Sequence, residues 1–279
     1  MVIFMVVDRT KIPKQAVILF NKLQSKGKFI FTLNDANDLL DISRDSLKNL
    51  LSRLFKSNWV KRLEREKYLI VPFEAGIEGR WSVEPFIIAS QLVEPYAIAY
   101  WSAMSHWGYT EQIVRTIFVL TTMKKNKMQF EILGIPYHFI KTSSDKFFGV
   151  TQIWVSNKKI TITDKERTLI GAMDKPELCG GFVESSKVLK TGFEKNEFSI
   201  KKIIDYGTKL RNNTIFKRIG YLLDFYKIDQ PELRLFCQRK LSKGYPRLDP
   251  AGNTKGKYNK EWMILDNVSK SDLNNWIEY

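Results

Sequence analysis

Between residues 29 and 72 the order of apolar and polar positions specifies a small domain. Leu47, Leu50, Leu51, Leu54 and Phe55 recur at spacings of three and four, which predicts one amphipathic helix over 43–57 with these five side chains on its buried stripe. Ser43 can cap that helix, and Asp45 adds negative charge to its first turn. A shorter apolar pattern (Leu33, Ala36, Leu39, Leu40) precedes it across a tight Asp41-Ile42 link, so the pair reads as a helix-turn-helix. Trp59-Val60-Lys61-Arg62-Leu63 and Tyr68-Leu69-Ile70-Val71 flank a charged tip, Glu64-Arg65-Glu66-Lys67, as the strands of a hairpin. Residues 29–32 supply a further short strand. Upstream, Pro13 suits the first turn of a helix running to Ser25 that buries Ala16, Leu19, Phe20 and Leu23. The apolar run at 2–7 reads as a strand or a tucked terminus. The sum is a winged helix-turn-helix domain at 10–73.

Two glycines and mixed charge make 74–84 a linker, and a second domain fills 85–279. Pro85 opens a short helix, 86–92, and Pro95 a longer one, 96–107, whose near lack of charge implies burial. Five short β-rich segments within 114–163 (115–122, 130–132, 135–140, 149–155 and 160–163) predict a mostly antiparallel sheet with hairpin links. Thr163 or Asp164 caps a helix at 165–173, with Glu166 and Arg167 outward and Leu169, Ile170 and Met173 inward. Pro176 and Cys179-Gly180-Gly181 break it, the glycines marking a helix terminus that needs unusual dihedrals. Helical patterns follow at 183–189, 200–210, 214–226 and 231–241, then a basic loop and a strand-like run at 262–265. The fold class is therefore α+β: a winged helix-turn-helix, then a mixed domain with a mostly antiparallel sheet and a C-terminal helical region.

Charge changes the picture. Among 279 residues, 45 Lys and Arg oppose 30 Asp and Glu, a formal net charge of +15 that favours a polyanionic partner. Residues 184–243 hold 14 basic and 7 acidic side chains, so this stretch alone contributes 14 − 7 = +7. Two cysteines, Cys179 and Cys237, are too few for a disulfide scaffold or a thiolate metal site. The N-terminus lacks the basic region and cleavage pattern of a signal peptide, and no apolar run is long enough for a membrane span. A reducing, cytoplasmic setting is expected.

The candidate chemistry is nucleic-acid binding. Arg44, Lys48, Asn49, Ser52, Arg53 and Lys56 lie off the Leu47-Leu50-Leu54 stripe, where a helix in the major groove would present them to base edges and phosphates. Arg62, Arg65 and Lys67 on the wing are placed for phosphates or the minor groove. Lys201, Lys202, Lys209, Arg211, Lys217 and Arg218 form an accessory surface for DNA, RNA or a nucleotide. No catalytic residue, metal-ligand set or cofactor is assigned. The only histidines are His106, read as a core residue, and His138; no HExxH, phosphate-binding-loop, nucleophile-elbow or kinase pattern occurs. Asp164, Glu166 and Asp174 sit where helix caps would, and Cys179 reads as a buried structural thiol. The rival readings are a magnesium-dependent nuclease built on Glu131 and Asp145, and a scaffold binding another protein through 96–107 or the wing.

The chain resembles the AbiEi-type antitoxin family, the transcriptional regulators of type IV toxin–antitoxin and abortive-infection operons, over about 10–267. The residues that carry the resemblance are Glu166-Arg167-Thr168-Leu169-Ile170 with Pro176 and Gly180-Gly181 after it, the segment 96–112 ending in Thr110-Glu111-Gln112, and Arg247-Leu248-Asp249-Pro250 followed by 262–267. Gly171 stands where the family pattern has an aspartate. The resemblance implies that the N-terminal domain binds double-stranded operator DNA and represses its own operon. It implies a C-terminal domain that counteracts a nucleotidyltransferase-like toxin without catalysis of its own and without a tight complex.

Overall fold

The structure is a computed structural model that describes residues 11–72, 75, 84–125 and 127–274. The 2–7 run and most of the expected linker lie outside the described residues. Two compact units divide between Leu92 and Val93.

The first unit is a winged helix-turn-helix. Helix α1 (Lys14–Ser25) leads into strand β1 (Ile30–Thr32), helices α2 (Leu33–Leu39) and α3 (Arg44–Lys56), and strands β2 (Val60–Glu64) and β3 (Lys67–Ile70). The three strands form an antiparallel sheet in the order β1-β3-β2. A capping box starts α2: the Thr32 hydroxyl accepts from Asp35 N at 3.1 Å and the Asp35 carboxylate from Thr32 N at 2.8 Å. Ser43 caps α3 as expected, accepting from Ser46 N at 3.2 Å. Leu19, Leu23, Leu47, Leu50, Leu54 and Trp59 meet in one core.

Helix α4 (Pro85–Ser90), expected to open the second domain, belongs to the first unit. Gln91 Oε1, just beyond it, accepts from Phe29 N and Ile30 N, both at 2.9 Å. This satisfies donors on the outer side of β1, which would otherwise be an open sheet edge.

The second unit is a mixed sheet with helices. Strands β4 (Tyr96–Ile98), β5 (Ile117–Thr121), β6 (Gln129–Ile132), β7 (Ile135–Lys141), β8 (Val150–Val155) and β9 (Lys158–Thr163) align in the order β6-β7-β5-β4-β9-β8. The β4–β5, β6–β7 and β8–β9 pairs are antiparallel, and β5–β7 and β4–β9 are parallel. The single helix expected at 96–107 is corrected here. Its first residues form β4, in the middle of the sheet, and helix α5 is only Tyr100–His106. An uncharged apolar run fits a strand buried on both faces as well as it fits a buried helix. His106 is also exposed rather than core, packed edge-to-face on Trp107.

Helix α6 (Lys165–Asp174) is the centre of this unit. It packs against α5 and against three later helices, α7 (Phe182–Glu194), α8 (Ile200–Leu210) and α9 (Thr214–Phe225). Enclosure on all sides overturns the outward placement of Glu166 and Arg167, which are only 6% and 4% exposed. Buried charges need partners. Glu166 has them: its carboxylate accepts from Ser199 N at 3.0 Å and from Lys202 Nζ at 3.3 Å. Asp164 caps the helix, accepting from Arg167 N at 2.8 Å. Gly180 and Gly181 hold positive φ at the start of α7, and a side chain on Gly180 would strike the Trp101 ring.

Helix α10 (Pro231–Arg239), a β10–β11 hairpin (Lys257–Asn259 and Ile264–Asp266) and helix α11 (Lys270–Asn274) complete the unit. Trp262 lies in the hairpin turn rather than in a strand, buried against Gly220 of α9. Cys179 and Cys237 are both buried, and burial pushes their thiols up.

Asp224 near the end of α9 gives the unit an acid-sensitive clasp. Its carboxylate accepts from Arg234 at 2.6 and 3.0 Å and from Trp262 Nε1 at 2.8 Å. Burial opposes its ionisation, but the hydrogen bonds and charge of Arg234 with the indole outweigh it and hold the carboxyl below its ordinary value. A depressed carboxyl contributes stability that is present above its unfolded pKa and lost as pH falls through the folded one. Wild type is therefore expected to lose more stability than Asp224→Asn on acidification from pH 5 to 3, with the variant less stable at neutral pH. Denaturant midpoints across that range check this; parallel curves for the two proteins would refute it.

Candidate nucleic-acid interface

Helix α3 presents the surface that the sequence marks out. Leu47, Leu50, Leu51 and Leu54 are at most 1% exposed, while Arg44, Lys48, Asn49, Ser52, Arg53 and Lys56 are all exposed. At about 100° per residue these six positions sweep the arc opposite the leucine stripe. Four cations on the arc face one carboxylate, Asp45, whose 3.2 Å pair with Lys48 is solvent-exposed and adds little stability. Long basic side chains and short amides or hydroxyls on one helix can reach both phosphates and base edges.

Phe55 departs from expectation: it is 54% exposed and not in the core. It falls about 80° round from Leu47 at 100° per residue, beyond Leu51 and on the same arc as Arg44, Lys48 and Ser52. An exposed phenyl among these residues offers an apolar contact of the kind that recognises a thymine methyl. The spacing of four from Leu51 concealed it, because membership of the stripe and position at its edge share that spacing.

The wing places its cations unequally. Arg62 and Arg65 are exposed, with Arg62 Nε 3.4 Å from its own hairpin's Glu64 carbonyl. Lys67 differs: its ammonium donates to the Leu92 carbonyl at 3.0 Å, which ties the hairpin to the chain after α4. That bond gives Lys67, half-buried on the wing, a part in holding the fold.

The accessory surface splits in the same way. Lys201, Lys202, Lys209 and Arg211 are exposed, although Lys202 is held by Asp164 and Glu166 at 3.3 Å and Lys209 by Asp205 at 2.8 Å. Lys217 and Arg218 are 1% and 4% exposed and cannot meet a ligand at the surface. Lys217 Nζ donates to the carbonyls of Ser242 at 2.8 Å and Gly244 at 2.7 Å. The Arg218 guanidinium donates to the carbonyls of Met173, Leu248 and Arg247 at 2.6, 3.0 and 3.0 Å. Net charge along a helix does not reveal which cations turn inward.

The remaining motif residues also have structural employment. The buried Glu184 accepts from the Thr110 hydroxyl, from Gln112 at 3.3 Å and from Lys187 at 2.9 Å. Asp249 and Asn267 exchange backbone–side-chain bonds at 2.9 and 2.8 Å. Glu131 lies on the β6 edge strand and Asp145 in a 3-10 turn (Ser144–Lys146) packed on α8. Among the described residues no group of three or more His, Cys, Asp and Glu side chains is placed to hold a metal, and no helix is long and apolar enough to cross a membrane.

Fold and surface together define a two-unit α+β protein with an N-terminal winged helix-turn-helix module. Among solved structures, the crystal structure of RV2827C protein from Mycobacterium tuberculosis is similar, with a TM-score of 0.66, 16% identity, and 96% of each chain covered. A likeness at that identity concerns the fold. No protein-family model and no curated protein matches the chain.

Proposed function

We propose that this protein is a sequence-specific DNA-binding transcriptional regulator that represses its own operon. The observation that carries this reading is the solvent-facing arc of α3, where Arg44, Lys48, Asn49, Ser52, Arg53 and Lys56 are exposed, with Phe55 at its edge. The finer part of the proposal is that the protein is the antitoxin of a type IV pair, counteracting a nucleotidyltransferase-like toxin without catalysis of its own. That part rests on the resemblance of the 96–112, 166–181 and 247–267 motifs, in that order along the chain.

The test is a footprint on DNA just upstream of the gene, followed by gel-shift titration of the protected sequence. Arg44→Ala and Arg53→Ala are each expected to cost on the order of 1–3 kcal/mol in operator binding, at one base pair each. Lys56→Ala is expected to weaken all sequences alike and lower the salt slope by about one. Lys67→Ala is expected to leave that slope unchanged, since its ammonium is bound to Leu92 O. Unchanged operator affinity in an Arg44→Ala/Arg53→Ala double variant would overturn the α3 assignment.

A further inference from the structure

Within the second unit a cavity of about 420 Å³ opens between the ends of β7, α6 and α8. Its lining includes Arg167, Lys141, Lys146, Lys175 and Arg211 against a single carboxylate, Asp174. That carboxylate already accepts from Asn212 Nδ2 at 2.7 Å. Lys141, Lys146, Lys175 and Arg211 form no ion pair with any described carboxylate.

Arg167 makes this more than a basic surface. It is 4% exposed, its Nε is buried with no hydrogen-bond partner, and no described carboxylate pairs with it. Phe148 covers one side, with the guanidinium 5.1 Å from its ring centroid, and the Tyr100 ring lies beside the Gly171 turn that the guanidinium also borders. Burial lowers its pKa, yet a guanidinium stays charged near neutral pH. A buried cation with an unpartnered donor and no direct ion pair is costly to keep. Asp174 and Asp164 act on it through space without pairing, and the space in front of it is rimmed by more cations. A planar fork with several lysine ammonium groups matches phosphate oxygens, and the volume lies in the range of small-molecule sites.

We propose that this cavity binds a small polyanion carrying adjacent phosphate groups, either pyrophosphate itself or the polyphosphate of a nucleotide, with Arg167 at its base and Lys146, Lys175 and Arg211 around it. The site is independent of the DNA-reading helix, so its failure would leave that reading intact.

Gly171 provides a specific test. A Cβ there would sit 3.5 Å from Arg167 Nη1 and 3.6 Å from the Tyr100 ring, in ordinary contact with both. Gly171→Asp would thus give Arg167 an internal carboxylate that competes with the ligand. Calorimetric titration of the full chain at low ionic strength would use pyrophosphate, ATP and citrate. Pyrophosphate and ATP are expected to bind one per chain, and citrate much more weakly. Gly171→Asp and, independently, Lys146→Ala/Lys175→Ala are each expected to weaken binding by about tenfold or more. ATP binding tighter than pyrophosphate would assign a nucleotide, and equal affinity would assign the pyrophosphate group alone. Absence of binding by both phosphates, citrate binding as tightly as pyrophosphate, or wild-type affinity in the lysine double variant would overturn the proposal. That variant alters two partly exposed positions, so the test holds even if Gly171→Asp does not fold.

Discussion

Arg218→Met is expected to destabilise the second unit by on the order of 3–5 kcal/mol, lowering its melting temperature by roughly 10 °C or more. The guanidinium sits on α9 and reaches three backbone carbonyls at 3.0 Å or less, those of Met173, Leu248 and Arg247, with Asp174 O at 3.4 Å. Met173 and Asp174 end α6, where helix geometry leaves carbonyls without intrahelical donors. A cation at that end also complements the helix dipole. Methionine keeps much of the volume and removes every donor, so the carbonyls it leaves are buried and unpaired. Burial already pushes the Arg218 pKa down to about 10, against the favourable charges of Glu177, Asp174 and Asp249, so desolvation has been incurred, and the hydrogen bonds to the carbonyls are needed with those charges to offset it. Denaturant unfolding of Arg218→Met and Arg218→Lys checks this. Lysine offers one ammonium for widely separated oxygens and should recover only a minority of the loss. An unchanged midpoint in the methionine variant would mean that the carbonyls find other partners.

Gly220→Ala is expected to destabilise the same unit by roughly 1–3 kcal/mol, at the upper end of that range. Alanine favours a helix over glycine by about 1 kcal/mol, so intrinsic propensity alone predicts a gain. Packing decides against it. A methyl at Gly220 would overlap the Trp262 ring, and Trp262 cannot retreat easily because it is 1% exposed and its Nε1 is bound to Asp224 at 2.8 Å. Pairing Gly220→Ala with Trp262→Leu removes the overlap, so the double variant should lose less than the sum of the single changes. Strict additivity in denaturant titrations would refute the close-packing account.

The candidate nucleic-acid surface on α3 was legible because it depends on a local period. Once Leu47, Leu50 and Leu54 face inward, helical geometry places Arg44, Lys48, Asn49, Ser52 and Arg53 outward, and the structure agrees at each position. The same rule failed for Phe55, at the edge of the stripe, where a small rotation determines burial. It failed for Glu166 and Arg167 because α6 has no outer face, a property of its neighbours in space. The cavity at Arg167 was not legible for the same reason: Lys141, Lys146, Lys175 and Arg211 lie on separate elements, and no spacing relates them. Charge counting misplaced Lys217 and Arg218, which contribute to the net charge but spend it on internal carbonyls.

The sequence by itself determined the winged helix-turn-helix, the β-rich and helical halves of the second unit, and the cap at Ser43, and it narrowed the cap of α6 to Thr163 or Asp164. Each follows from interactions within a few residues, where backbone geometry leaves few choices. Only the tertiary structure decided that 96–98 is a strand, that α4 completes the first unit, and which cations are exposed, buried or gathered around a cavity. Burial is a property of what packs alongside, and the partners that bury or expose a side chain here are separated from it by tens of residues.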